Sequence, residues 1–135
     1  MSYEEIPHTA DVKIRVHART LSALFSDAFA ALMQVLYGSD RKGGYQKVME
    51  ISANDQESLL SDFLSEVLFI AEVEGIVFAG ADIRVRGTGL TARLDGEPFD
   101  RDRHSSGTEV KGISYSELAI THDANGYMLD ILFDV

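Results

Sequence analysis

Val12-Lys13-Ile14-Arg15-Val16-His17-Ala18-Arg19 alternates apolar with polar or charged side chains, the period of a half-buried strand with one wet face. Thr20 follows, and the period changes. Leu21, Leu24, Phe25, Ala28, Phe29, Leu32, Val35 and Leu36 recur at helical spacing ahead of Gly38, so a helix is predicted with Thr20 as its cap and Gly38 as its stop.

Working outward, Tyr45 to Ala53 reads as a second strand. A second helix is expected from Asn54, with Glu57 three residues on as in a capping box, to Gly75. Its apolar stripe is Leu59, Leu60, Phe63, Leu64, Val67, Leu68 and Ala71. Strands are predicted at Ile76 to Arg86 and Leu90 to Leu94, with Gly87-Thr88-Gly89 and Asp95-Gly96 as hairpin turns. Neither glycine pair opens a helix, so neither makes a phosphate-cradling loop. The stretch from Asp100 to Gly107 reads as a charged loop, followed by strands at Thr108 to Ile120 and Tyr127 to Val135. Two helices in a strand-rich chain with several hairpins indicate an α+β fold, a two-layer sandwich of a mostly antiparallel or mixed sheet packed with two main helices.

No repeat, low-complexity tract or linker divides residues 1–135, which are expected to form a single domain. With 45% hydrophobic and 25% charged residues the composition is that of a globular protein. Twelve Lys and Arg against 22 Asp and Glu give a charge of -10, which opposes broad contact with a nucleic-acid backbone. There is no cysteine, so a disulfide, an iron-sulfur cluster and a thiolate zinc site are excluded. An acidic N-terminus and short apolar runs fit a soluble, cytoplasmic protein without a membrane span.

Three places hold candidate chemistry. Pro7-His8-Thr9-Ala10-Asp11 is an irregular polar segment ahead of the first alternating strand; it either forms side-chain turns or presents a carboxylate at the strand's start. At the other end, Asp134 adjoins Val135, whose terminal carboxylate would make a second anion. If folding brings Asp11 to them, the oxygens suit a hard divalent cation, Mg²⁺ or Ca²⁺. Asp130 is set apart, because four residues along a strand span roughly 13 Å. The third place is Arg103-His104 leading to Glu109 and Lys111. Lys111 is the last lysine or arginine, with four acids after it; it either pairs with one of them or orients a phosphate or a partner's acidic group. The four histidines show no zinc-ligand spacing and no nucleophile elbow is present.

Taken in order, Pro7-His8-Thr9-Ala10-Asp11, Leu21-Ser22-Ala23-Leu24-Phe25, Leu59-Leu60-Ser61-Asp62-Phe63-Leu64, the run from Asp102-Arg103-His104 to Glu109-Val110-Lys111-Gly112-Ile113-Ser114-Tyr115, and Leu132-Phe133-Asp134-Val135 resemble the archease family over nearly the whole chain. Two places depart from it. Ser114-Tyr115-Ser116 stands where the family often has Thr-Tyr-His, so any role of that histidine is absent. Phe133-Asp134-Val135 replaces the usual Leu-Asp-Ile and keeps the acid.

The resemblance implies a protein cofactor of the GTP-dependent RNA ligase of tRNA splicing and RNA repair, one that helps the ligase become guanylylated and turn over repeatedly in the presence of divalent metal. RNA would be met only through the ligase. Carried over residue by residue, the family's functional set falls on Asp11, Lys111 and Asp134. Metal ligation is then expected of Asp11, Asp134 and Val135, and partner contact of Lys111, Asp11 and His104. A competing reading is a chaperone or specificity modulator of a tRNA-modifying enzyme such as a tRNA methyltransferase, with the acidic second helix as its docking surface. A freestanding metal-dependent hydrolase is disfavoured, because no base and nucleophile pair stands beside the carboxylates.

Overall fold

A computed structural model of the chain describes residues 2–6 and 11–135. The strands are β1 (Tyr3–Ile6), β2 (Asp11–Ala18), β3 (Tyr45–Ser52), β4 (Ile76–Arg86), β5 (Gly89–Pro98), β6 (Gly112–Asp123) and β7 (Gly126–Asp134). The helices are α1 (Leu21–Tyr37), α2 (Gln56–Glu74) and the single-turn α3 (Arg101–His104). All strand pairs are antiparallel, and they form two sheets rather than one: β1-β2-β7-β6 and β3-β5-β4. The fold is α+β, as the alternating and helical periods predict.

Helix α1 begins and ends where its residues direct. The Thr20 hydroxyl accepts from the Ala23 N–H at 3.1 Å, satisfying one of the orphan donors of the first turn. Gly38, at φ 80°, stops the helix and turns its own N–H back to Gln34 O. For α2 the cap is Asp55, not Asn54: its carboxylate accepts from Ser58 N at 2.7 Å. Glu57 does not close a capping box. Its Oε2 accepts from Ile120 N of β6 at 3.1 Å, a partner 63 residues away.

Helix α1 touches β2 and β7 of one sheet and β4 of the other, while α2 touches β6 of the first and β3, β4 and β5 of the second. Both helices therefore bury wide arcs. On α2, Leu59, Phe63, Val67 and Ile70 make one row and Leu60, Leu64, Leu68 and Ala71 a second, all buried, so the helix can pack on two surfaces. One cluster unites them with Ile14 and Val16 of β2, Phe78 and Ile83 of β4, and Leu129, Ile131 and Phe133 of β7. The largest side chains, Phe25, Phe29, Phe63, Phe78 and Phe133, are fully buried.

Asp95-Gly96 is not a turn but part of β5. A Cβ on Gly96 would stand 2.5 Å from Val77 O, so glycine is needed where β4 presses close at its bulge between Phe78 and Gly80. Strand β6 starts at Gly112 rather than at residue 108, because Thr108 N donates to Val35 O on α1 at 2.7 Å. The stretch expected as a loop from Asp100 to Gly107 contains α3, ending on a buried His104. No described helix is long and apolar enough to cross a membrane.

Candidate functional site

Residues 11 and 134 meet through strand register. In the β2–β7 ladder Asp11 stands opposite Asp134, and in the β7–β6 ladder Gly112 stands opposite Asp134 on its other side. Directly opposed residues in an antiparallel pair hold their Cα atoms about 4.5–5.5 Å apart, so the two aspartates are immediate neighbours at one end of the four-stranded sheet. Gly112 leaves the space beside them open. The position its Cβ would take lies 3.6 Å from Asp134 Oδ2. Lys111 is joined to the same point: its N–H donates to Asp134 O at 2.7 Å, and its side chain is exposed.

The three residues thus come from three separate segments of the sequence and converge on one corner. Val135 follows β7 directly, 38% exposed. Residues 7–10, including His8 and Thr9, lie outside the described residues. Asp130, four register steps inward, is engaged by Arg15 through Nε–Oδ1 at 2.8 Å and Nη2–Oδ2 at 3.1 Å, a fork that holds the Asp130 carboxyl below its ordinary range. It therefore offers no oxygen to the corner.

Among the described residues no three His, Asp or Glu side chains cluster as a metal cage. The donor set at the corner is smaller, two adjacent carboxylates at a sheet end. It fits Mg²⁺, which keeps several waters and takes one or two carboxylates from a protein. A surface cavity of about 540 Å³ lies elsewhere, on the three-stranded sheet between Glu50, Ser52, Arg84, Arg86 and Thr91. Neither Asp11, Lys111 nor Asp134 lines it. Its walls carry both signs of charge, without the convergent groups that fix a ligand.

His104, expected to contact a partner, is only 1% exposed. Tyr37 and Phe99 pack against its ring at centroid distances of 6.3 and 5.8 Å. Nδ1 accepts from Asp100 N at 2.8 Å, so the ring proton belongs on Nε2, which faces Glu97 Oε2 at 3.2 Å. A side chain so enclosed is not presented at the surface; it holds the segment leading to Lys111. Glu97, which no motif had marked, is the hub of this anchor. It takes both Nη atoms of Arg103, and the Lys42 N–H donates to it at 2.7 Å. Arg103 also reaches Asp100 at 3.3 Å and Asp40 at 3.6 Å. The only sequence sign of this network was the density of charge from Asp95 to Arg103.

Hydrogen bonding by Arg103 lowers the Glu97 carboxyl from the usual 4.5 to about 2, and Glu97 in turn raises the Arg103 guanidinium. A depressed carboxyl contributes stability that is complete above its unfolded value and is lost as pH falls through its folded value. We expect stability to decline between about pH 4.5 and 2, and Glu97→Gln to flatten that acid limb while lowering Tm at neutral pH by roughly 5 °C or more. Thermal melts of both proteins from pH 2 to 7 check this; parallel acid limbs would contradict it.

Comparison with known proteins gives a consistent picture. Residues 3–135 match the sequence model of the Archease protein family. Protein archease of Methanosarcina barkeri is 32% identical over 141 residues, covering 98% of this chain and 95% of that one. Protein archease-like of Drosophila melanogaster is 34% identical over 143 residues, covering 100% and 91%. The solution structure of protein 1598 of Methanobacterium thermoautotrophicum superposes with a TM-score of 0.81 at 23% identity over 98% of both chains. A Thermotoga maritima crystal structure, described as an archease and possible chaperone, superposes with a TM-score of 0.69 at 17% identity over 98% and 96%.

Proposed function

The chain belongs to the archease family, and from that premise we propose that it is a non-catalytic protein cofactor of a GTP-dependent RNA ligase acting in tRNA splicing and RNA repair. The observation that supports this reading most is the convergence of Asp11, Asp134 and Lys111, two acids and a lysine, at one corner.

In this reading Asp11 and Asp134 hold a divalent cation, Mg²⁺ or Ca²⁺, through their side-chain oxygens. A bound cation of this kind offsets phosphate charge as a Lewis acid. Asp134 is fixed for the task from both sides, by its backbone pairing in the ladders and by the Lys111 N–H. Lys111 extends an ammonium from a rigid strand start into the partner's active site, where it stabilises the charge that develops as the ligase takes up a guanylyl group. The ligase supplies the nucleophile and grips the RNA.

The charge distribution supports indirect contact with RNA. Arg84, Arg86 and Arg93 on the three-stranded sheet are interspersed with Asp82 and Glu50, so no continuous basic track forms. We expect the isolated chain to bind RNA more weakly than about 100 μM at physiological salt, measured by anisotropy of labelled RNA. Tight, salt-sensitive binding would contradict the indirect role.

The second reading, a chaperone or specificity modulator of a tRNA-modifying enzyme such as a tRNA methyltransferase, is favoured by the acidic exposed face of α2. Parallel pull-downs with a purified ligase and a purified methyltransferase separate the two. Retention of the methyltransferase alone would transfer the proposal to it.

A further inference from the structure

The two sheets have four edge strands, and three of their edges are dealt with inside the fold. Ser22 of α1 takes the Val85 N–H of β4 at 2.9 Å, and Glu57 of α2 takes the Ile120 N–H of β6. Strand β1 is only four residues long. Short edges and covered edges are the usual defences against pairing with another chain.

Strand β3 has neither defence. It runs eight residues, Tyr45–Ser52, pairs only with β5, and does so in continuous register without a bulge. It contains no proline. Its one basic residue, Lys47, is tied down by Glu74 at 3.0 Å, and Glu74 also accepts from the Tyr45 hydroxyl. Among the described residues, no backbone group of β3 bonds anything outside its ladder with β5. Every second residue of an edge strand turns its N–H and C=O outward, so β3 presents a row of open donors and acceptors.

Beside this edge lies a groove of about 380 Å³, walled by Met49, Glu50, Ile51 and Ser52 on the strand and by Asp62 and Glu66 on α2. At 100° per residue, Phe69 and Val73 fall on the same helical stripe as Asp62 and Glu66. Both are large apolar side chains left in solvent, 58% and 66% exposed. Val48 of β3 is 67% exposed. From Glu50 to Asp82 the chain has eight acids and no base.

We propose that the open edge of β3 and the Asp62–Glu66–Phe69–Val73 stripe of α2 form a docking channel for an extended, lysine- or arginine-bearing segment of a partner protein, which adds to the three-stranded sheet as a fourth strand. Main-chain bonds to β3 supply affinity in this mode, and alternate side chains supply specificity. On the side facing α2 the basic side chains meet Asp62 and Glu66 with their methylene stems over Phe69 and Val73, and on the opposite side the apolar ones meet Val48. The surface is on the other sheet from Asp11, Asp134 and Lys111, and the inference does not depend on which enzyme the partner is.

The test uses the full chain and an acetylated, amidated peptide of alternating lysine and valine, seven residues long and fluorescently labelled. Binding should perturb amide resonances of residues 45–52 and 62–73 and slow hydrogen exchange in β3. A peptide methylated at alternate backbone nitrogens should lose binding, because its charges remain and its donors do not. Asp62→Lys with Glu66→Lys, both exposed and thus compatible with folding, should weaken the unmodified peptide about tenfold. Equal affinity for the methylated peptide, or shifts confined to another surface, would overturn the proposal. So would sedimentation showing a dimer that pairs β3 with β3 and excludes the peptide.

Discussion

Asp11→Ala and Lys111→Ala are each expected to abolish stimulation of the cognate ligase while leaving the fold intact, with ligase guanylylation slowed on the order of 100-fold or more. Both stand at the corner where β2, β7 and the start of β6 meet, and they should fail in different ways. Asp11 is half-buried opposite Asp134, and in the proposed reading it gives a carboxylate to the cation. Its loss should raise the divalent-metal concentration needed for stimulation, and excess metal should restore part of the rate. Lys111 is proposed to act through its charge directly, and its main-chain bond to Asp134 survives truncation. Added metal should therefore not rescue Lys111→Ala, whereas Lys111→Arg should retain some activity. For both, the guanylylation step should slow more than RNA joining, read by single-turnover assays with pre-guanylylated ligase. Melting curves accompany each variant, since an unfolded protein imitates lost function. A folded Lys111→Ala chain that restores multiple turnover at the wild-type rate would remove the lysine from the mechanism.

His104→Ala should produce the largest change in stability and little change in function where the protein remains folded. The ring is enclosed by Tyr37 and Phe99, accepts the Asp100 N–H, and meets Glu97. Truncation leaves a cavity and strands the Asp100 N–H without its acceptor, together costing about 3 kcal/mol. For a chain of this length that lowers Tm by roughly 10 °C. His104→Phe should recover packing but not the hydrogen bond, and melt between the two. At a temperature well below the variant's Tm, stimulation of the ligase by His104→Ala should stay within a few-fold of wild type. A stable His104→Ala protein with no stimulation would mean that this segment opens and presents the histidine to the partner.

Local chemistry made much of this fold legible. The change from alternating to helical period between Ala18 and Leu21 located β2 and α1, because core burial enforces both periods, and the cap and stop fell on Thr20 and Gly38. Misreadings occurred where a local signal was answered by a distant partner. Glu57 has capping-box spacing, yet its carboxylate is drawn to β6. Asp95-Gly96 has turn chemistry, yet the glycine serves close approach by β4. His104 sits among charges that read as solvent-exposed, but Glu97 and Arg103 neutralise one another and allow the segment to fold inward. The corner itself was only half legible. Charge and position marked Asp11, Lys111 and Asp134 separately, and only the family resemblance implied that Asp11 and Asp134 act together; their adjacency is a product of β2–β7 register, and that of Lys111 of the start of β6, which no local pattern specifies. The β3 edge was invisible for a similar reason, since an edge exists only once the strand order is known.

The central claim rests most directly on multiple-turnover RNA ligation by the purified cognate ligase, with GTP and divalent metal, in the presence and absence of this protein. Ligase alone is expected to stop near one product per enzyme, and catalytic amounts of this chain to restore continuous turnover through faster guanylylation. Identical product curves with and without the chain, at metal concentrations that saturate the ligase, would contradict it.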